Sequence, residues 1–172
     1  MKKNPVWKAV VFWLMATPVA LGATPHVWAP TVTQAGRYLV LAGGCNDCHT
    51  PGWERSGGKL PWSQWLTGSP VGFQGPWGTT YAHNLRLLVQ HVSERQWVAM
   101  FKYKTPLPAY PMRPPMPWVN YHQLSVRDLR AIYAFIKGLG PAGRPAPSYV
   151  PPGQTPKTPY IVFVPQQPKS VP

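Results

Sequence analysis

Apolar residues recur at helical spacing in three separate stretches, and each stretch opens on a capping sequence. The first is predicted to start around Val32, where Pro30 precedes a Thr31…Gln34 capping box. Tyr38, Leu39, Leu41 and Ala42 give it an apolar stripe, and Gly43-Gly44 stops it. Gly36, inside the same stretch, lowers helix propensity by about 1 kcal/mol. A close crossing by another helix is the reading we favour over chance. The second helix is predicted after Ser93, with Gln96 completing the box and Glu94 at the favourable end. Trp97, Met100, Phe101 and Lys104 follow at helical spacing until Pro106 ends it. The third opens on Ser125 and Asp128, with Leu124 and Leu129 placed as a hydrophobic staple. Leu129, Ile132, Tyr133, Phe135, Ile136 and Leu139 form its broad apolar face; Gly138, Gly140 and Pro141 close it. No run alternates with a period of two, so the expected fold class is all-α with long loops.

The ends of the chain have a different character. Met1-Lys2-Lys3 and Lys8 precede an apolar run from Ala9 to Ala16, then Pro18 and small residues through Ala23. A basic start, a short apolar run and a small-residue exit describe an export signal over residues 1–23. That run is shorter than the ~20 residues a membrane span needs, so membrane attachment is expected only if the segment stays uncleaved. Residues 24–140 then form one domain, and residues 141–172 a proline-rich extended tail. The β-prone run Tyr160-Ile161-Val162-Phe163-Val164 interrupts the tail. It can dock back on the domain, add to a partner, or stay disordered with the rest.

Charge narrows the partners. Seventeen Lys and Arg face four acids, Asp47, Glu54, Glu94 and Asp128, for a formal net charge of +13. Without Lys2, Lys3 and Lys8 the excess is still large. Such a balance points to an anionic partner surface. The basic residues are scattered with no dense run, which argues against nucleic acid. An acidic docking surface on a protein partner, or a merely solvated basic face, is the expectation.

The chemistry centres on the only two cysteines, in Cys45-Asn46-Asp47-Cys48-His49. Thiols at this spacing can each form a thioether with a haem vinyl group, with the following histidine reaching the iron, so C-x-x-C-H reads as covalent c-type haem attachment. A redox disulfide would sit in a βαβ setting that the sequence lacks. A closed zinc site needs four ligands, and no second cysteine pair exists. Bacterial haem attachment at this motif takes place outside the cytoplasm, in keeping with an export signal and a periplasmic location.

The other side of the iron decides between closed and open coordination. Of five methionines, Met1 and Met15 lie in the export segment and Met100 lies on an apolar helix face. Met112 and Met116 occupy the proline-rich loop 106–117, and Met116, between Pro115 and Pro117, is favoured as the distal ligand. His122 is the main rival; His26, His83 and His91 read as surface or packing residues. Residues 50–80 are rich in Gly, Pro and Trp. Trp62, Trp65 and Trp77 are candidates to pack on haem, with ordinary core packing the commoner role.

The order of haem motif, Gly-rich loop, Pro-flanked methionine and amphipathic terminal helix resembles a class I cytochrome c domain. More narrowly, the chain is similar to haem domains of cytochrome subunits of membrane-bound alcohol and aldehyde dehydrogenases. The resemblance rests on Gly36-Arg37-Tyr38-Leu39 before the motif, Gly78-Thr79-Thr80-Tyr81-Ala82-His83-Asn84 after it, and Pro114-Pro115-Met116-Pro117 before the last helix. It implies the class I cytochrome c fold over residues 31–140 and Met116 as the distal ligand. It also implies that Tyr81 and Asn84 lie in the haem environment and that Gly36 meets the last helix near Ile132 and Phe135. Pro61 resembles the proline whose carbonyl accepts the proximal imidazole N–H, a contact that would orient His49; a plain turn proline is the other reading. The implied function is periplasmic electron transfer by one haem c bound through Cys45 and Cys48, not catalysis. Alternatives are a cytochrome subunit of a periplasmic dehydrogenase complex and a haem enzyme or gas sensor with an open distal site. A dehydrogenase subunit or a terminal oxidase would then be among the redox partners.

Overall fold

The computed structural model describes residues 25–163; the expected export segment and residues 164–172 lie outside that span. The three capped helices are present as α1 (Val32–Ala42), α4 (Glu94–Lys102) and α6 (Val126–Gly138). Between them run α2 (Cys45–His49), α3 (Leu85–His91) and α5 (Trp118–Gln123). Ser93 and Gln96 complete a reciprocal capping box on α4. At α1, Thr31 accepts from the Gln34 N–H. At α6, Ser125 caps the Asp128 N–H, while the buried Asp128 carboxylate accepts from the Ser125 hydroxyl and from the Val27 N–H, both at 2.8 Å. The carboxylate thereby ties the segment before α1 to the start of α6.

The core lies where α1 crosses α6, with α3 and α4 packed on the other flank of α6. Leu39 and Val40 of α1 are buried with Leu129, Ile132, Phe135 and Ile136 of α6. Gly36 sits at the crossing: a Cβ there would lie 1.9 Å from the Ala131 carbonyl oxygen and 2.8 Å from the Phe135 Cβ. The helix gives up propensity so that the two backbones can touch.

The chain also contains a small sheet that the sequence pattern did not predict. β1 (Gly72–Gly75) and β2 (Gly78–Tyr81) form an antiparallel hairpin, and β3 (Tyr160–Val162) adds parallel to β1, in the order β2-β1-β3. Gly72 faces Tyr160, Phe73 faces Ile161 and Gln74 faces Val162. Strands this short and this rich in glycine carry too few alternating positions to register as a period of two. The proline-rich tail is extended, and its β-prone run docks back on the domain through β3.

Candidate functional site

α1 ends at Gly43, and Gly44 in the left-handed region (φ +67) turns the chain directly into α2. That single turn carries Cys45, Cys48 and His49. Positions three and four apart share a helix face, so all three side chains reach one cleft. The cleft is open on one side to solvent and is lined largely by apolar groups, among them Leu85, Leu88, Trp97, Phe101 and Ile132. The hairpin contributes Phe73, Thr80 and Tyr81. The loop before α5 contributes Tyr110, Met112, Arg113 and Met116.

His49 is buried, and its Nδ1 lies 2.7 Å from the His83 carbonyl oxygen. A carbonyl only accepts, so Nδ1 carries the proton and donates, leaving Nε2 with its lone pair free. Burial pushes the imidazole down to about 4, with the His83 hydrogen bond pulling the other way. Near neutral pH the ring is therefore uncharged, the form that binds metal. The carbonyl that orients it is not that of Pro61, as the resemblance implied. Pro61 is exposed and caps a short 3-10 turn, Trp62–Gln64, where its carbonyl accepts from the Gln64 N–H at 2.9 Å.

The rest of α2 is pinned from several sides. Thr50 Oγ1 donates to Asn46 Oδ1 at 2.7 Å and accepts from the Leu66 N–H at 2.8 Å. The Gly68 N–H donates to the His49 carbonyl at 2.8 Å. Tyr121 of α5 donates its O–H to the Gly43 carbonyl at 2.6 Å and stands 3.5 Å from Cys45 Sγ. Burial pushes the Cys45 thiol up to about 11, partly offset by Tyr121. Cys48 is raised as well, by burial first and then by the charges of Asp47 and Glu54. Disulfide exchange needs the opposite, a stabilised thiolate. Among the described residues no group of three or more His, Cys, Asp and Glu is placed to hold a metal ion, which leaves the zinc reading without ligands.

Met112 and Met116 both line the cleft. Met116 is the better held: its N–H donates to the Arg113 carbonyl at 3.1 Å and its carbonyl accepts from the Trp118 N–H at 2.8 Å. His122 does not line the cleft; its Nδ1 pairs with the Phe101 carbonyl. Tyr81 lines it, with its hydroxyl accepting from Thr158 at 2.8 Å. Asn84, expected nearby, stands outside the lining. Its Oδ1 caps α3 through the Leu87 N–H, and its amide donates to the Ala142 and Arg144 carbonyls.

The three tryptophans named as candidates to pack on haem do not line the cleft and take the commoner packing role. Trp62 and Trp65 pack edge-on to Phe135, and Trp77 packs beside Phe163. Trp97 is the indole in the cleft wall. Sequence reasoning missed it because it was assigned wholly to the α4 core, and missed His83 because its contribution to His49 is a backbone oxygen.

A haem fits these residues. The cleft is largely apolar, both thiols and the imidazole reach it from α2, and the side chains of Met112 and Met116 line it as well. The buried Thr80 hydroxyl in the same lining has no partner among the described residues. No family model, curated protein or solved structure matches the chain.

Proposed function

We propose that the chain is a periplasmic electron-transfer protein of the class I cytochrome c type, carrying one haem bound through Cys45 and Cys48. The observation that carries this reading is the convergence of C-x-x-C-H and the methionine loop on a single apolar cleft. When bound, the haem supplies a one-electron Fe(III)/Fe(II) couple. The chain's own residues do the rest.

Cys45 and Cys48 would hold the group through thioethers. His49 would offer Nε2 to the iron, its orientation set by donation from Nδ1 to His83. Met116 would supply the second protein ligand, the choice over Met112 resting on its two backbone hydrogen bonds. An axial methionine raises the potential and closes the coordination shell. Trp97, Leu85, Leu88 and Ile132 keep water from the wall beside the ring. No group in the cleft is required as a catalytic acid or base, because no substrate bond changes. A strong excess of positive charge suits brief docking on an acidic redox partner and predicts encounter rates that fall with salt.

Spectroelectrochemical titration of the purified, exported protein tests the reading. One reversible one-electron wave, with a methionine–iron charge-transfer band in the oxidised form, is expected. A protein with no bound chromophore overturns the assignment, and a haem protein lacking that band overturns the methionine ligation.

A further inference from the structure

The proline-rich segment after α6 is bonded to the hairpin that contributes to the cleft wall. Val150 pairs with Thr79 in both directions, N–H to carbonyl, at 2.8 and 3.0 Å. Thr158 donates to the Tyr81 hydroxyl, and Tyr149 donates its O–H to the Trp77 carbonyl at 2.7 Å. Gly78, at φ +91, accommodates the approach: a Cβ there would lie 2.4 Å from the Val150 carbonyl oxygen. The tail is thus fixed to the hairpin that forms one wall of the cleft.

From this fixed segment the ring of Tyr149 meets Arg113, whose guanidinium carbon lies 3.9 Å from the ring centroid. Arg113 also lines the cleft, immediately after Met112, and its carbonyl holds the Met116 N–H. The one ion pair among the described residues is Arg130 with Glu94, so a tyrosine face and not a carboxylate holds the Arg113 charge. The loop's backbone bonds at Tyr110, Met116 and Trp118 are all to residues two or three positions away. They shape the loop without attaching it to anything else. Its ties across the molecule are the apolar packing of Leu107, Tyr110, Met112 and Met116 against the core and two ring contacts, Arg113 on Tyr149 and Tyr110 edge-on to His83 at 5.8 Å.

We propose that the segment around Tyr149 is a strap that holds the methionine loop closed over the cleft, with Arg113 and Tyr149 acting as positioning residues for the distal ligand. This rests on the reading of Met116 given above. The prolines around Met116 leave the loop few conformations, so one cross-molecule contact suffices to select the closed one. Removing either partner frees the loop to swing out, and a competing ligand then reaches the iron. A planar guanidinium and an aromatic face are the required chemistry, and the tyrosine hydroxyl is not.

The test uses full-length, haem-loaded protein and carbon monoxide as the probe of the ferrous iron. Arg113→Ala and Tyr149→Ala are each expected to raise the rate of uptake by about tenfold, the equivalent of one partly desolvated cation–π contact. Both are expected to weaken the methionine–iron band of the ferric form. Tyr149→Phe, which keeps the ring and loses the bond to Trp77, restores the wild-type rate. The double variant is no faster than either single one, because both act through one contact. Arg113→Ala leaves the strap itself intact and keeps the test decisive if Tyr149→Ala fails to fold. Wild-type uptake rates in both alanine variants, or effects that add in the double variant, overturn the strap. A wild-type protein that takes up carbon monoxide without delay overturns the closed coordination itself, and the strap's role with it.

Discussion

The wall that carries Cys45, Cys48 and His49 is anchored by buried hydrogen bonds from several elements, whereas the wall that carries Met112 and Met116 is held by local turns, apolar packing and ring contacts. On the first wall, Thr50 ties α2 to the Leu66 backbone, Gly68 binds the His49 carbonyl, and His83 orients the imidazole. These bonds reach segments distant in sequence, so moving α2 would break several buried polar contacts at once. On the second wall, the loop N–H groups at Tyr110 and Met116 are satisfied within the loop itself. Arg113 and Tyr110 then reach out through aromatic faces, contacts that separate without stranding a buried polar group. The cysteine–histidine side is therefore the more firmly held, and the methionine side the more adjustable. For an electron carrier, the first fixes where the cofactor sits, and the second sets its potential and its resistance to outside ligands.

The largest effect is expected on the firmly held wall. His49→Ala removes the proximal imidazole while leaving both thioether positions, so haem stays covalently bound but its low-spin absorption spectrum is lost. A low-spin spectrum retained in that variant would move the proximal ligand elsewhere. On the adjustable wall, Met116→Ala is expected to abolish the methionine–iron band and to lower the potential by on the order of 0.1–0.2 V, a fraction of the roughly 0.8 V span that axial ligands set. Met112→Ala should keep both near wild type; the reverse outcome assigns the ligand to Met112.

Stability separates the walls further. Thr50→Val removes both the donor to Asn46 and the acceptor of the Leu66 N–H, at a site only 2% exposed. The stranded polar groups should cost about 3 kcal/mol in urea unfolding. Gly36→Ala comes next. The new Cβ overlaps the Ala131 carbonyl and forces α1 from α6, and the gain in helix propensity offsets part of the strain, for a net loss of about 2 kcal/mol. A Gly36→Ala protein as stable as wild type would mean that the crossing can relax without cost.

Legibility in the sequence followed the same division. The capped helices could be read because a cap and an apolar period are local signals: Ser93 with Gln96 and Ser125 with Asp128 lie where the pattern put them. Gly36 could be read because a helix-weakening residue in an otherwise good helix needs a spatial reason, and Ala131 and Phe135 supply it. The haem motif and the two methionines that share its cleft were legible as residue types at a spacing. What stayed hidden was carried by backbone atoms or by very short strands. His83 acts on His49 through a carbonyl that every residue has. Pro61 and Asn84 each have the right identity, but one caps a 3-10 turn and the other caps α3. α3 was within reach, since Asn84 as a cap followed by Leu85, Leu88 and Val89 is a helical signal. The sheet was not, because β3 has three residues and pairs with a strand more than eighty positions earlier.

The central claim, that Cys45 and Cys48 carry haem covalently, is tested most directly by the intact mass of the exported protein under denaturing conditions. Bacterial cells equipped for haem c maturation would supply wild type and Cys45→Ala/Cys48→Ala for comparison. The account predicts that wild type keeps the mass of one haem after denaturation and acid–organic extraction, while the double variant has the mass of the chain alone. A wild-type mass equal to the bare chain, with haem fully extracted or never present, would contradict it.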